Sequence, residues 1–321
     1  MRLPRKFTAR TFAILGFSVA LYAVAALYFG WDDLKQNFMA IPGSILLILG
    51  ALSLFNYVLR FWRWDVYLRA LEAPLPLRAS LSLYFATYVM VITPGKIGEV
   101  FKAGILRERY GVPLAKGIPI ILAERAYDLL AVIILAVLGI FFWPGPLTGM
   151  TTGLAAAACI PVLLFLFQRP RVRQMLVRKA AGNKLLSRHR VGVQDSLESL
   201  GKLLAPGQTV FSLVLSTVAW LAECMGLYVA CHGLGFPVGW GEAVFIYAAG
   251  TLVGSLSFLP GGLGGTEATI IYLLTRLEMH GATAAAVALL VRLFTLWLAV
   301  LIGLGFFLVA RKDLLRDPED Q

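Results

Sequence analysis

Apolar runs near the length of a bilayer-spanning helix alternate with short polar breaks along nearly the whole chain. Six such runs, 11–30, 41–60, 117–143, 151–167, 210–234 and 282–309, predict about six full transmembrane helices. Two further stretches, 79–111 and 242–281, fit a simple span poorly. Each reads as an apolar helix, a Pro-Gly break and a second, amphipathic helix leading to a glycine. Segment 80–93 is short for a crossing, so each stretch is expected to enter and leave the membrane on one side, as a re-entrant helical hairpin. The fold class predicted is an all-α polytopic membrane protein, a single integral domain over 1–321.

Composition sharpens this picture. Of 321 residues 59% are hydrophobic and 15% charged, more apolar surface than a soluble domain can hide. The longest polar stretch, 168–207, is too short and too basic for a catalytic domain and is expected to be a basic cytoplasmic loop. A net charge of +11 would suit nucleic acid, but the distribution of that charge points elsewhere. Of 29 Lys and Arg, 25 fall in 2–10, 60–78, 96–116, 169–202 and 311–316, which share one face when both termini are cytoplasmic. The expected location is therefore the cytoplasmic (inner) membrane, with no nucleic-acid partner and a secondary attraction to anionic lipid headgroups. In this topology 31–40 is an outer loop. The first residues, with AVA at 23–25, have features of a signal peptide, yet so long an apolar stretch reads better as an uncleaved anchor. Cys159, Cys224 and Cys231 lie in apolar runs without metal-ligand or disulfide spacing, and His189, His232 and His280 are scattered. No metal and no cofactor is expected.

The two Pro-Gly stretches echo each other. FATYVMVITPGKIGEVFKAGILRERYG at 85–111 is answered by YAAGTLVGSLSFLPGGLGGTEATIIYLL at 247–274. Pro94-Gly95 corresponds to Pro260-Gly261 and Gly98 to Gly264, all offset by 166 residues. LAERAYDLLAV at 122–132 matches LVRLFTLWLAV at 290–300, each with an arginine early on. Three predicted crossings separate the stretches, an odd number, so the second is turned over. The expectation is an inverted repeat of 42–140 and 208–310, whose broken helices meet near the bilayer midplane. Two ordinary interfacial turns between true spans are the competing reading.

TPGKIGEVFKAGILRERYGV, ILAERAYDLLAV, LPGGLGGTEA and VRLFTLWLAV, in that order, resemble the lysylphosphatidylglycerol synthase transmembrane-region family, also called flippase-like. NYVLRFWRW at 56–64 is similar to that family's second-helix exit, and the resemblance covers roughly 10–310. Bifunctional members carry a soluble aminoacyl transferase domain after this region. Here the sequence stops at Gln321, so the resemblance implies the translocation half alone, a lipid translocase that is not an enzyme. Its expected substrate is an anionic phospholipid or a polyprenyl-phosphate-linked lipid. Partners compatible with this reading are membrane lipids with anionic headgroups, a lipid-modifying enzyme, or a second copy of the chain.

Chemistry concentrates where the echo is. Glycine turns opening a helix leave N–H groups with the positive end of the dipole behind them, an anion site. Pro94, Gly95, Gly98, Pro260, Gly261, Gly262, Gly264 and Gly265 supply such turns, and Lys96, Glu99 and Lys102 add charge. Close helix packing explains the same glycines equally well. Glu124, Arg125 and Asp128 lie two to three turns into an apolar helix, with Arg125 within reach of Asp128. Arg292 stands in the matching place with no neighbouring acid, so its counter-charge must be Glu223, Glu267 or a substrate phosphate. Glu267 also suits a helix N-terminus, whereas Glu223 is mid-helix. Arg60, Arg63 and Arg69 with Trp62 and Trp64 read as an interfacial belt. An enzyme alternative, a membrane-embedded polyprenyl-phosphate-dependent glycosyltransferase, would rest on Asp32-Asp33. A non-transporting partner of a lipid-modifying enzyme is a third class.

Overall fold

The computed structural model describes residues 23, 27–93, 100–145, 169, 172, 175, 190–257 and 259–315, and every regular element among them is helical. The first part of the chain forms α1 (Trp31–Ala40), α2 (Gly43–Ala70), α3 (Leu77–Ala86), which tightens into a 3₁₀ turn over Thr87–Ile92, α4 (Val100–Tyr110) and α5 (Leu114–Ile140). Then come α6 (Arg190–Leu203), α7 (Pro206–Gly233) and α8 (Trp240–Leu256), followed by a 3₁₀ turn at Pro260–Gly262. Last are α9 (Gly265–Arg276), α10 (Gly281–Arg292) and α11 (Leu298–Leu315), the final two joined by a π turn, Leu293–Trp297. Among the described residues α2, α7 and the continuous helix Gly281–Ala310 are long and apolar enough to cross a membrane. The predicted span 151–167, nearly all of 11–30, and the first Pro-Gly break at 94–99 lie outside the described residues.

Local signals set the ends. Pro42, Pro76 and Pro113 immediately precede α2, α3 and α5, and Pro206 opens α7, places where the missing N–H costs nothing. α2, α4, α7 and α9 finish alike. Ala73, Val112, Phe236 and Met279 donate back to the carbonyls of Leu68, Leu106, Cys231 and Leu274. The residue before each donor has positive φ: Glu72 (54°), Gly111 (65°), Gly235 (76°) and Glu278 (67°). Glycine accepts that conformation freely, while the two glutamates hold it at a cost.

The order of elements recurs. A long helix, two short arms and another long helix appear as α2, α3, α4, α5 and again as α7, α8, α9, α10–α11. α2 and α7 are each 28 residues and pack along one another antiparallel. Leu49 lies beside Gly226, and Asn56 Nδ2 donates to the Ala219 carbonyl at 2.8 Å. The arms cross over: α8 packs on α5, whereas α3 and its 3₁₀ turn pack on α11. A glycine permits each crossing. A Cβ on Gly139 of α5 would stand 2.6 Å from the Phe245 backbone nitrogen, and one on Gly303 of α11 would stand 2.5 Å from that of Val89.

Two segments expected as loops contain helix. α1 occupies 31–40, with Leu34 buried against Ala285 and Ala286, and Asp32 and Asp33 lie in its first turn, where the dipole favours them. α6 occupies part of 168–207 and packs on α5, because Val193, Leu197, Leu200 and Leu203 recur at helical spacing amid the polar residues.

Candidate functional site

Charge is concentrated deep within four helices. Arg60 in α2, Arg125 and Asp128 in α5, Glu223 in α7 and Arg292 in the α10–α11 helix all lie ten or more residues from either helix end. At 1.5 Å per residue that is about 15 Å from the nearest helix end. Groups at such depth need partners. Asp128 takes two of them from α2: Arg60 Nη2 at 2.6 Å on Oδ2 and Arg63 Nη1 at 2.8 Å on Oδ1. Arg125, one turn back on α5, is 3.9 Å from the same carboxylate. Arg63 also donates to Ser216 of α7, which ties three helices together.

Two further ion pairs fasten each second arm to the long helix that follows it, with opposite polarity. In the first half, Lys102 of α4 meets Glu124 of α5 at 3.0 Å. Its ammonium also sits 4.1 Å from the Trp64 ring centroid and 4.6 Å from that of Tyr84. In the second half, the acid is on the arm: Glu267 of α9 meets Arg292 Nε at 2.8 Å. Its other oxygen accepts the Gly264 N–H at 2.8 Å, capping α9. Arg292 also donates to the Gly261 carbonyl, and so grips the turn before α9. Immediately after Arg292, the π turn leaves carbonyls of Phe294 and Thr295 for the Tyr57 hydroxyl, at 2.9 and 3.2 Å.

Between the halves lies a cavity of about 280 Å³. Arg60, Arg125, Arg292, Asp128 and Glu223 all line it, three cations against two anions. Tyr247, which also lines it, donates its hydroxyl to Glu223. A smaller polar cavity of about 50 Å³ adjoins it, sharing Arg60, Arg125 and Thr295 and adding Lys102, Glu124 and the Tyr84 and Tyr88 rings. Among the described residues no cluster of His, Cys, Asp and Glu could hold a metal ion.

Comparison with known proteins adds a family. The sequence matches the lysylphosphatidylglycerol synthase TM region over residues 13–303. The chain belongs to that family. Relatives include a UPF0104 membrane protein of Methanothermobacter thermautotrophicus, 26% identical over 241 residues, which cover 65% of this chain and 66% of that one. Another is a UPF0104 membrane protein of Methanocaldococcus jannaschii, 22% identical over 242 residues, covering 73% of this chain and 99% of the relative. The chain thus spans just under two thirds of the first relative's length and nearly all of the second's. It is an all-α integral membrane protein.

Within this family member the residues singled out by sequence fall into three groups. Arg125, Asp128, Glu223, Gly261, Gly262 and Arg292 line the larger cavity, and Lys102 and Glu124 the smaller. Pro260, Gly264, Gly265 and Glu267 line neither, but they shape the turn that Arg292 grips; Gly265 packs on the Gly254 backbone, its ideal Cβ position 3.2 Å away. Pro94, Gly95, Lys96, Gly98 and Glu99 lie outside the described residues. Arg292's counter-charge is Glu267, one of the three partners expected for it. Asp32 and Asp33, exposed on α1, line neither cavity.

The reading of Arg60, Arg63 and Trp64 as part of an interfacial belt needs correction, whereas Trp62 and Arg69 are exposed. Arg63 and Trp64 are fully buried and Arg60 lines both cavities, because α2 continues ten residues past the end of the apolar run, to Ala70. Arg60 and Arg63 are the site residues that sequence reading missed. The available signal was a polar stripe, Asn56, Arg60, Arg63 and Tyr67, at helical spacing on one face of an otherwise apolar helix.

Proposed function

We propose that this family member is a lipid translocase, a carrier that moves an anionic phospholipid or polyprenyl-phosphate-linked lipid between leaflets. The observation that carries this reading is the cavity between the two halves, ringed at membrane depth by Arg60, Arg125 and Arg292. Buried arginines serve an anion or a partner acid. Asp128, Glu223 and Glu267 balance charge when the cavity holds no headgroup. The lipid tails remain in the bilayer.

Alternating access comes from two halves, 42–140 and 208–310, in an inverted repeat. The antiparallel packing of α2 and α7 supports it, since equivalent helices of an inverted repeat run in opposite directions. Arg60 and Glu223 occupy equivalent places, each seventeen residues beyond the first residue of its helix. α8 and α9, at 17 and 12 residues, fall short of a span of about 20 residues, which supports a re-entrant hairpin. The distribution of basic residues supports the inner membrane with both termini cytoplasmic.

Leaflet exchange of headgroup-labelled fluorescent lipids in proteoliposomes tests the proposal. The wild-type chain is expected to exchange an anionic lipid well above protein-free liposomes. The double variant Arg125→Ala, Arg292→Ala is expected to fall to the protein-free rate. Equal exchange by the two proteins would sink the site assignment.

A further inference from the structure

We infer that Tyr57 is a positioning residue: its hydroxyl holds the π turn that follows Arg292, and through that turn fixes Arg292 in the wall of the larger cavity. This rests on the reading above, that the cavity is a ligand site, and adds a residue of one half that sets the aim of a cation in the other.

A π turn carries one more residue than an α turn and is rare, so something must hold it against relaxing into α-helix. Here the Leu298 N–H donates to the Leu293 carbonyl, five residues back. The positions that echo 293–297 in the first half, 125–129, continue as plain α-helix within α5. A long apolar helix of this fold therefore does not require the turn. α2 supplies the hold, at two points seven residues apart and so on one face. Buried Tyr57 donates its hydroxyl to the Phe294 and Thr295 carbonyls, at 2.9 and 3.2 Å. Gly50 makes room for the Phe294 ring, which would lie 3.6 Å from a Cβ placed there. One contact fixes the backbone of the turn and the other its side chain.

Arg292 is the last residue before the turn, so it moves with any change there. Loss of the extra residue from the turn would rotate α10 against α11 by roughly 100° and shift it by about 1.5 Å. Arg292 would then leave the Glu267 carboxylate, 2.8 Å from its Nε, and the Gly261 carbonyl. Two holds thus act on this guanidinium. Glu267 and Gly261 grip it directly, and Tyr57 acts from the other half through the backbone. Phenylalanine at 57 keeps the ring and its packing but takes the donor away from both carbonyls.

Labelling with phenylglyoxal, a membrane-permeant reagent for arginine, tests this on the detergent-purified full chain. Mass spectrometry follows the rate at buried Arg292, with the exposed Arg69 side chain as the reference within the same sample. Tyr57→Phe is expected to label Arg292 at least about threefold faster than wild type, with Arg69 unchanged. Asn56→Ala is the control. It removes the neighbouring α2 hydrogen bond, 2.8 Å to the Ala219 carbonyl, which crosses to α7 and not to the turn. This variant should label Arg292 at the wild-type rate even where its melting temperature falls. An unchanged rate in Tyr57→Phe, or an equal rise in both variants, overturns the inference. An experimental structure of Tyr57→Phe gives a second readout. Hydrogen bonds of four-residue step across 293–297 are expected, and a π turn kept with Arg292 in place would overturn the inference. Faster labelling in Tyr57→Phe without leaflet exchange by the wild type upholds the positioning role and overturns the translocase reading instead.

Discussion

Two guanidinium groups from successive turns of α2 close on the two oxygens of Asp128, and the strength of that arrangement lies in what its loss would leave behind. A buried ion pair adds little net stability, but removing one member strands the other at a cost of about 3–5 kcal/mol. Asp128→Ala would strand Arg63, which is 1% exposed, together with Arg60. Its melting temperature in detergent is expected to fall sharply, whereas alanine at exposed Glu108 should have little effect; equal melting of the two variants would contradict this. Sequence showed half of this cluster. Arg125 lies one turn from Asp128 on the same helix and was legible from spacing alone. Arg60 and Arg63 approach from 68 and 65 residues away, and hydropathy marks where apolar composition ends rather than where the helix does.

At the scale of elements, the molecule relies on pairs that repeat in altered form. Lys102 with Glu124 and Glu267 with Arg292 perform one task, tying an arm to the next long helix, with the charges exchanged. An identity-based comparison of the halves misses such a correspondence, because the residues differ while the link persists. Gly139 and Gly303 make the other pair. Gly139→Ala and Gly303→Ala each force a Cβ against the backbone of the opposing arm and should cost about 1–3 kcal/mol as overpacking. Gly104→Ala, where an added Cβ meets nothing within 4 Å, should be neutral or slightly stabilising. Thermal unfolding of the three variants in one detergent checks the order, and a Gly139→Ala protein as stable as Gly104→Ala would contradict it. Long helices were legible from their apolar runs. α1 and α6 were not, because a short amphipathic helix against a larger body is stabilised by burial that composition does not reveal.

For the whole molecule, the Pro-Gly echo and the alternation of basic loops lead to the expectation of two related halves. What sequence could not supply was the crossing of the arms, α8 onto α5 and α3 onto α11, since packing partners distant in sequence leave no periodic trace. The crossing brings charges from both halves to one cavity. If the halves are inverted, the turn after α4 and the turn after α9 face opposite sides of the membrane. In a background without native cysteines, Glu108→Cys should react with an impermeant maleimide only from the cytoplasmic side and His280→Cys only from the outer side. Labelling of both from one side would rule out the inversion. The proposed site stands or falls on where a headgroup sits. An experimental structure of the chain in nanodiscs of phosphatidylglycerol tests this most directly. Phosphate density is expected between Arg60, Arg125 and Arg292; lipid density confined to the outer faces of the helices, with only water in the cavity, would contradict it.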